Sequence, residues 1–288
     1  MTLNISPIGF GSMKASFDKP DAATRESTVA AIHAAIDRGV TLFDTSDIYA
    51  PTWDAFGHNE LLVAEAIRTH SNPGDAFAAT KGGITRGPGE TWGRNATLDY
   101  LLRAVEASAL RLGVDKIKLW QHHRLDPKLP FETQLENLAL LKQRGLIEHI
   151  GVSNYNAAQL ERAIEVIGPI ATLQNQFNLK YRHDSDVLQV CEKHDIKFLP
   201  WSPSRGAHES DATEALKSYA EANSASTYAV AIAWLRSLSP SVVPIPGITR
   251  VESVNDAIDA LKLELQGEVP LPEELEVDCE LLSDQPKS

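Results

Sequence analysis

Residues 117–154, which read IKLWQHHRLDPKLPFETQLENLALLKQRGLIEHIGVSN, contain the clearest structural pattern in the chain. The runs at 117–121 and 147–152 are short, apolar and partly β-branched, which is typical of strands buried on both faces. Between them, residues 131–144 repeat apolar side chains at helical spacing, and Gly145 follows where a left-handed residue ends a helix. This order predicts two parallel strands joined by a crossover helix, because parallel neighbours cannot be joined by a tight turn.

The same alternation of strand and helix extends over most of the chain. The predicted strands are residues 8–11, 41–45, 76–80, 117–121, 147–152, 171–176, 197–201 and 242–245. The predicted helices are residues 24–38, 59–68, 97–112, 131–144, 157–167, 184–194, 211–222 and 226–237, and a last one that begins near Val251. Eight strand–helix units predict an α/β fold of the (β/α)8 TIM-barrel type, with an open doubly wound sheet as the alternative.

Residues 1–288 are predicted to form a single barrel domain, because no linker-like stretch or break in composition divides them. Two local features are also predicted. Gly39 follows the first long helix, where a left-handed glycine is expected to end it. An acidic tail begins at about Gln266, and its last residues are expected to be disordered.

Composition excludes several classes of partner. Lys plus Arg is 27 and Asp plus Glu is 39, so the formal net charge is −12, which argues against nucleic acid and anionic membranes. Cys191 and Cys279 are far apart and form no metal-binding spacing, so no metal site is predicted and a reducing compartment is expected. Because neither a signal peptide nor a membrane-spanning apolar run is present, we expect a cytoplasmic protein.

Polar side chains follow the predicted strands at the point where each strand ends. Catalytic residues of barrels occupy these strand ends and the loops after them. One of two adjacent histidines, His122 and His123, should face inward and the other outward, because side chains alternate along a strand. The strand-end candidates are Asp44, Tyr49, Lys81, His122, His123, Arg124, Ser153, Asn154, Gln174, Gln176, Trp201 and Ser202.

An Asp, a Tyr, a Lys and a His at one barrel mouth suit the reduction of a carbonyl group. The carbonyl oxygen gains negative charge when hydride arrives, and it then needs a proton, which Tyr49 can supply. Lys81 can stabilise the resulting phenolate, and a buried lysine needs a carboxylate partner such as Asp44. A histidine can orient the carbonyl oxygen. The sequence contains no flavin or redox-metal motif, so hydride is expected from an organic cofactor.

From Ile8 to about Leu263 the chain resembles the aldo-keto reductases of the bacterial type, which are also similar to potassium-channel β subunits. The motifs that carry the resemblance are FDTSDIY, ATKGG, LWQHHR, GVSNY, LQNQFN, PWSP and PIPGITR, in this order. The resemblance implies a catalytic tetrad of Asp44, Tyr49, Lys81 and His123. In it, Tyr49 is the general acid and Lys81, held by Asp44, lowers the pKa of the tyrosine.

The resemblance also implies NADPH, bound in extended form across the barrel mouth. It assigns Ser153, Asn154 and Gln174 to the carboxamide, and Trp201 to stacking on the nicotinamide. It assigns Ser202, Ser204 and Gly206 to the pyrophosphate, and Gly247, Thr249 and Arg250 to the segment around the adenosine 2′-phosphate. A guanidinium at Arg250 suits a phosphate, which favours NADPH, with NADH as the alternative.

Trp53 and Trp92, in the loops after the second and third strands, are predicted to wall the substrate pocket, with plain loop packing as the alternative. The predicted function is NADPH-dependent reduction of an aldehyde or ketone to the alcohol, with a small-molecule carbonyl compound as the partner. The same tetrad run in reverse would instead make the protein a sugar or alcohol dehydrogenase. A nucleotide-binding regulatory subunit and a barrel hydrolase that uses Asp44 and a histidine are the competing hypotheses from different functional classes.

Overall fold

A parallel β-sheet forms the centre of the protein, whose computed structural model describes residues 3–17, 21–183, 185–208 and 210–275. The strands in chain order are β1 (Phe10–Gly11), β2 (Leu42–Asp44), β3 (Phe77–Gly82), β4 (Ile84–Gly87), β5 (Thr91–Arg94), β6 (Ile117–His122), β7 (Ile147–Ser153), β8 (Thr172–Gln174) and β9 (Lys197–Phe198). Seven of these strands pair in parallel in the order β1-β2-β3-β6-β7-β8-β9.

The segment 241–248 closes this sheet into a barrel. The Pro244 carbonyl accepts a hydrogen bond from the Gly9 N–H at 3.0 Å. Two residues on, the Pro246 carbonyl accepts from the Gly11 N–H at 2.8 Å. On its other side the segment exchanges backbone hydrogen bonds with β9. Proline has no N–H to donate, so the segment pairs through isolated bridges rather than a full ladder. The prediction of a (β/α)8 barrel is confirmed.

Helices cover the outside of the sheet. They are α1 (Lys14–Phe17), α2 (Ala22–Asp37), α3 (His58–Thr69), α4 (Leu98–Leu112), α5 (Phe131–Gln143), α6 (Ala157–Ile167), α7 (Asp186–Lys193), α8 (Glu214–Ala222), α9 (Thr227–Leu238) and α10 (Val251–Asp259). Every predicted helix overlaps one of them. As predicted, Gly39 and Gly145 adopt positive φ, at 82° and 79°, just after α2 and α5. Asp184 and the tail after residue 275 lie outside the described residues, so the predictions made for them stay predictions.

Side-chain alternation along the strands stacks a polar layer above an apolar layer inside the barrel. Leu42, Ala79 and Leu119 belong to one buried apolar cluster on β2, β3 and β6. Asp44 and Lys81 lie two residues further along β2 and β3, so they point the same way as the apolar residues before them. In the register of the sheet, Asp44 of β2 is the neighbour of Ala79 of β3, so Lys81 lies two residues beyond the level of Asp44.

Residues 84–94 differ from the sequence expectation, which treated the segment after Lys81 as a loop. They form an antiparallel hairpin of β4 and β5, in which Arg86 is opposite Trp92. The turn contains Gly89 at a φ of 71°, a conformation that glycine adopts without strain.

The hairpin is held over the barrel mouth by contacts that are distant in sequence. The Arg86 Nη1 donates to the Ala50 carbonyl at 2.6 Å, and its guanidinium lies 4.9 Å from the centre of the Trp92 ring. The Glu90 carboxylate accepts from the Trp53 backbone N–H at 2.9 Å. These contacts tie the hairpin to the loop after β2, and no local periodicity could have indicated them.

No helix among the described residues is both long enough and apolar enough to cross a membrane.

We expect Gly9→Ala to destabilise the barrel at its point of closure. A Cβ atom at residue 9 would lie 2.3 Å from Leu42 Cδ2 and 3.2 Å from Ile245 Cγ2, both in the barrel interior. Overpacking of this kind costs about 1–3 kcal/mol of unfolding free energy. Urea unfolding followed by circular dichroism measures it. Gly247→Ala is the matched control, since its Cβ meets nothing within 4 Å; equal losses in the two variants would contradict the closure argument.

Candidate active site

Asp44 and Lys81 form an ion pair at the centre of the polar layer. The Lys81 Nζ donates to both carboxylate oxygens of Asp44, at 2.8 and 2.7 Å, and to the Thr45 carbonyl at 2.8 Å. Both side chains are almost completely buried. Burial is the largest single effect on Lys81 and lowers its pKa, but the charge of Asp44, the charge of Tyr49 and the hydrogen bonds to both residues together outweigh it. The pKa of Lys81 is therefore raised and the lysine stays an ammonium.

Two amide side chains from neighbouring strands complete the coordination of the carboxylate. The Asp44 Oδ1 accepts from Gln174 Nε2 at 2.7 Å and from Gln121 Nε2 at 3.3 Å. Both amides donate to the same carboxylate oxygen and so further compensate a buried charge, which would otherwise be costly. The sequence prediction assigned Gln174 to a cofactor carboxamide and did not single out Gln121. The signal for Gln121 was its position two residues before His123, on the inward-facing side of β6.

Tyr49 lies in the loop after β2, with its ring against the ion pair. The Lys81 Nζ lies 4.9 Å from the centre of the tyrosine ring. Burial raises the pKa of Tyr49, the Lys81 charge acts in the opposite direction, and the net pKa is above the ordinary value of 10.0. Lys81 therefore lowers the pKa of Tyr49 as expected, but burial has the larger effect. At neutral pH the Tyr49 phenol keeps its proton.

His123 follows β6 and faces Tyr49 across the cavity. Their ring centres are 6.0 Å apart, with planes nearly perpendicular at 81°. The His123 Nδ1 lies 3.3 Å from the Ser46 hydroxyl. Burial, followed by the Lys81 charge, keeps the pKa of His123 well below 6.5. The imidazole is therefore neutral at pH 7.

His122 points to the other side of β6, as strand alternation predicts. Its Nδ1 lies 2.9 Å from the Tyr155 hydroxyl, and Tyr155 belongs to the apolar cluster between sheet and helices. Burial lowers the pKa of His122 to about 4, so this ring is also neutral. His122 does not line the cavity that contains Tyr49.

A cavity of about 630 Å³ opens above the polar layer. Asp44, Tyr49 and His123 line one part of it, and Lys81 lies directly beneath Asp44. Trp92 of the hairpin is also in the lining, stacked on Phe17 at 6.2 Å between ring centres. Trp53, the other tryptophan predicted to wall the pocket, is not among the lining residues, and 38% of its surface is exposed.

A second group of lining residues comes from the ends of β7, β8 and β9. Asn154 has a left-handed φ of 60° and donates from Nδ2 to Ser153 Oγ at 2.8 Å. Its Oδ1 accepts from Trp201 Nε1 at 3.3 Å, which orients the indole beside the cavity. Ser153 Oγ donates to the backbone carbonyl of Gln174 at 2.7 Å. The four residues predicted to hold the nicotinamide end of a cofactor therefore form one connected network.

The residues predicted to hold phosphates extend outward from this network. Ser202, Ser204 and Gly247 line the cavity. Gly206, with a φ of 89°, lies in the turn after β9, where its N–H donates to Asp211 at 3.0 Å. Thr249 is half-buried and Arg250 is exposed at the start of α10, and neither lines the cavity.

Comparison with known proteins identifies the family. Residues 7–269 match the model of the Aldo/keto reductase family. The chain belongs to the aldo/keto reductase family. It is an oxidoreductase, and the resemblance carried by the strand-end motifs is confirmed.

Relatives of this aldo/keto reductase match it over most of its length. An uncharacterized oxidoreductase of Schizosaccharomyces pombe is 32% identical over 270 residues, which cover 92% of this chain and 84% of that protein. The crystal structure of a thermostable aldo-keto reductase with the inhibitor epalrestat is 30% identical, with a TM-score of 0.74 and coverage of 91% and 92%. A crystal structure of an aldo-keto reductase from Klebsiella pneumoniae in complex with NADPH is 25% identical, with a TM-score of 0.73 and coverage of 91% and 88%.

Beneath the Tyr49 loop, this aldo/keto reductase buries a carboxyl group that has little compensation. Asp47 accepts a hydrogen bond from the Ser46 hydroxyl at 3.1 Å. Nearby, the buried Glu60 carboxylate accepts from Arg111 Nε at 2.5 Å and from Thr80 Oγ1 at 2.5 Å. Burial, followed by the charge of Glu60, raises the pKa of Asp47 from 3.8 to about 8. The folded protein therefore holds Asp47 as the neutral acid at neutral pH.

We expect Asp47→Asn to stabilise the protein by an amount that grows with pH. The unfolded chain loses the Asp47 proton near pH 3.8, whereas the folded protein keeps it to about pH 8. Wild-type stability therefore falls as pH rises through this window, and the asparagine removes that loss. The gain should reach about 1 kcal/mol or more by pH 8 and then level off. Thermal unfolding of both proteins at several pH values measures it. A gain that is the same at low and high pH would mean that Asp47 is ionised in the fold.

Proposed function

We propose that this protein reduces an aldehyde or ketone to the alcohol, with NADPH as the hydride donor and Tyr49 as the general acid. The observation that carries the proposal is the contact of Tyr49 with the buried Asp44–Lys81 pair in a cavity that His123 also lines. A single domain and a cytoplasmic location remain predictions from the sequence.

The lining residues suit a nicotinamide cofactor. The network of Ser153, Asn154 and Gln174 presents amide and hydroxyl groups of the kind that pair with a carboxamide. Beside it, Trp201 offers an indole for stacking. The Klebsiella pneumoniae relative was solved with NADPH, which supports the same cofactor here.

The phosphates of the cofactor would lie further along the same side of the cavity. Ser202 and Ser204 offer hydroxyl groups, and Arg205 adds a positive charge beside them. We assign the exposed guanidinium of Arg250 to the 2′-phosphate, because the long hydrogen bond of 3.5 Å from its Nη2 to the Ser253 hydroxyl would compete only weakly with a phosphate. A bidentate guanidinium–phosphate contact would distinguish NADPH from NADH.

NADPH, when bound, would supply the hydride that the carbonyl carbon accepts. The carbonyl oxygen takes its proton from the Tyr49 hydroxyl, so that the alcohol leaves neutral and Tyr49 is left as a phenolate. The Lys81 ammonium, fixed by Asp44, stabilises that phenolate through its charge. The His123 Nδ1 lies 3.3 Å from the Ser46 hydroxyl, and in the tautomer that carries the ring proton on Nε2, this nitrogen can donate to the carbonyl oxygen.

The pKa of Tyr49, raised by burial, supports the role of Tyr49 as a proton donor. At neutral pH the residue holds the proton that reduction consumes. A dehydrogenase would use the same residues with Tyr49 as a base, and it would need the phenolate, which forms only at high pH. A purely regulatory role would not explain why the protein buries an ion pair beneath Tyr49, which costs free energy of folding.

We expect Tyr49→Phe to lower kcat for aldehyde reduction by about 10²- to 10⁴-fold, the usual contribution of a general acid. NADPH affinity should remain, because the hydroxyl is assigned to the substrate oxygen. Stopped-flow turnover and quenching of tryptophan fluorescence by NADPH measure the two quantities. The matched control is Tyr219→Phe on α8, which removes a hydroxyl that donates a hydrogen bond to the Gly267 carbonyl. A near-normal rate in Tyr49→Phe would refute the acid assignment.

We expect Arg250→Ala to weaken NADPH binding by about tenfold or more and to leave NADH binding nearly unchanged, because only NADPH carries a 2′-phosphate. The same fluorescence titration gives both dissociation constants. Arg68→Ala, which removes an exposed arginine from α3, controls for the change in net charge. Equal weakening of both cofactors would mean that Arg250 does not meet the 2′-phosphate.

A further inference from the structure

Among the residues that the structure describes, more positive than negative side chains line the active-site cavity. Lys14, Arg94, Arg124 and Arg205 contribute to the lining. Among the described residues, Asp44 is the acidic residue of the lining, and the ammonium of Lys81 already balances its charge. The whole chain carries a formal charge of −12, so this local excess is opposite to the rest of the protein. A positive cleft of this kind concentrates anions.

Arg124 differs from Lys14 and Arg205, which are exposed to solvent, because its side chain is partly buried. It directly follows His123 at the end of β6. Within the described parts of the chain, its guanidinium forms no ion pair and no side-chain hydrogen bond. The nearest acid in sequence, Asp126, is engaged instead by the backbone N–H groups of Lys128 at 2.9 Å and of Ala96 at 3.3 Å. A partly buried guanidinium without a partner is unfavourable in the free protein.

The charge of Arg124 acts on the reaction centre. Burial, followed by the charge of Arg94, lowers the pKa of Arg124 to about 10, so it remains charged at neutral pH. Burial and the charge of Lys81 dominate the pKa of His123, and Arg124 lowers it further. Arg124 also counteracts the effect of burial on Tyr49, though more weakly than Lys81 does. The guanidinium therefore lies close to the two groups assigned to the carbonyl oxygen.

The position of Arg124 separates it from the proposed phosphate site of the cofactor. Arg124 follows β6, whereas Ser202, Ser204 and Arg205 follow β9, and β7 and β8 lie between these strands. The hairpin contacts the chain next to Arg124, since Arg94 Nη1 of β5 donates to the Leu125 carbonyl at 3.1 Å, and Arg94 and Trp92 line the same cavity as Arg124. This side is left for the substrate.

We propose that Arg124 anchors an anionic group of the substrate, so that this reductase acts on carbonyl compounds that also carry a carboxylate or a phosphate. Trp92 and Phe17, whose rings stack at 6.2 Å between centres, add apolar aromatic surface to the lining of the same cavity, and an aromatic ring between the carbonyl and the anion could pack against it. This inference rests on the proposed function and adds the substrate class to it.

The test compares substrates that differ in one charge. The NADPH-dependent kcat/KM is measured for 4-formylbenzoate, 4-formylphenyl phosphate and methyl 4-formylbenzoate, which share the ring and the aldehyde. We expect the wild type to prefer at least one anion over the neutral ester by about tenfold or more. The anion that is preferred tells whether a carboxylate or a phosphate is the fitting group.

Arg124→Gln should lower this preference by about tenfold to a hundredfold, mainly through KM of the anion. Arg124→Lys should retain an intermediate preference, because it keeps the charge but loses the planar fork. Arg103→Gln, an exposed arginine on α4, is the matched control and should keep the wild-type preference. Circular dichroism checks that each variant is folded.

A readout without turnover separates this inference from the proposed function. The product 4-(hydroxymethyl)benzoate, titrated into the NADP⁺ complex, should bind the wild type about tenfold more tightly than Arg124→Gln. Equal product affinities, or a wild-type preference near one, would overturn the inference while reduction of the neutral ester continued to support the function. An NADPH affinity about tenfold weaker in Arg124→Gln would assign Arg124 to the cofactor instead. Loss of NADPH binding in the wild type would refute the function itself.

Discussion

The buried ion pair between Asp44 and Lys81 is the interaction on which the rest of the site depends. Taking two charges out of water costs several kcal/mol per ion, and removing one partner of such a pair costs about 3–5 kcal/mol. The protein offsets this cost with amide donors from two further strands, Gln121 and Gln174. The pair is therefore stable only where four strands of the barrel meet, and it marks the position at which chemistry can take place.

Burial and the charge of Lys81 together set the protonation states of Tyr49 and His123. Burial raises the pKa of Tyr49 and lowers that of His123, while Lys81 lowers both. The result at neutral pH is a protonated phenol facing a neutral imidazole across a narrow cavity. A proton donor and a neutral hydrogen-bond donor can then act on the same oxygen atom. The unmatched guanidinium of Arg124 adds a fixed charge at the side of this pair.

Much of the site was predictable because of the barrel's geometry. Parallel strands bring their carboxyl ends to one rim, so polar residues after apolar runs converge there whatever their separation in sequence. Strand alternation predicted that His122 and His123 face opposite sides of the strand, and the family resemblance predicted that His123 is the inward one. Trp92 and Trp53 could not be separated in this way. Their positions depend on the β4–β5 hairpin and on Arg86, whose guanidinium lies against the Trp92 ring and donates to the carbonyl of Ala50, far away in the chain.

The sequence by itself determined the alternation of strands and helices, the number of strand–helix units and the residues at the barrel rim. These follow from local periodicity and chain direction, which are properties of neighbouring residues. Only the tertiary structure decided which rim residues are paired. It engaged Asp44 with Lys81 and two amides, and Asp126 with backbone N–H groups, while Arg124 kept an unmatched charge. Burial and charge pairing are sums over residues distant in sequence, so no stretch of sequence contains them.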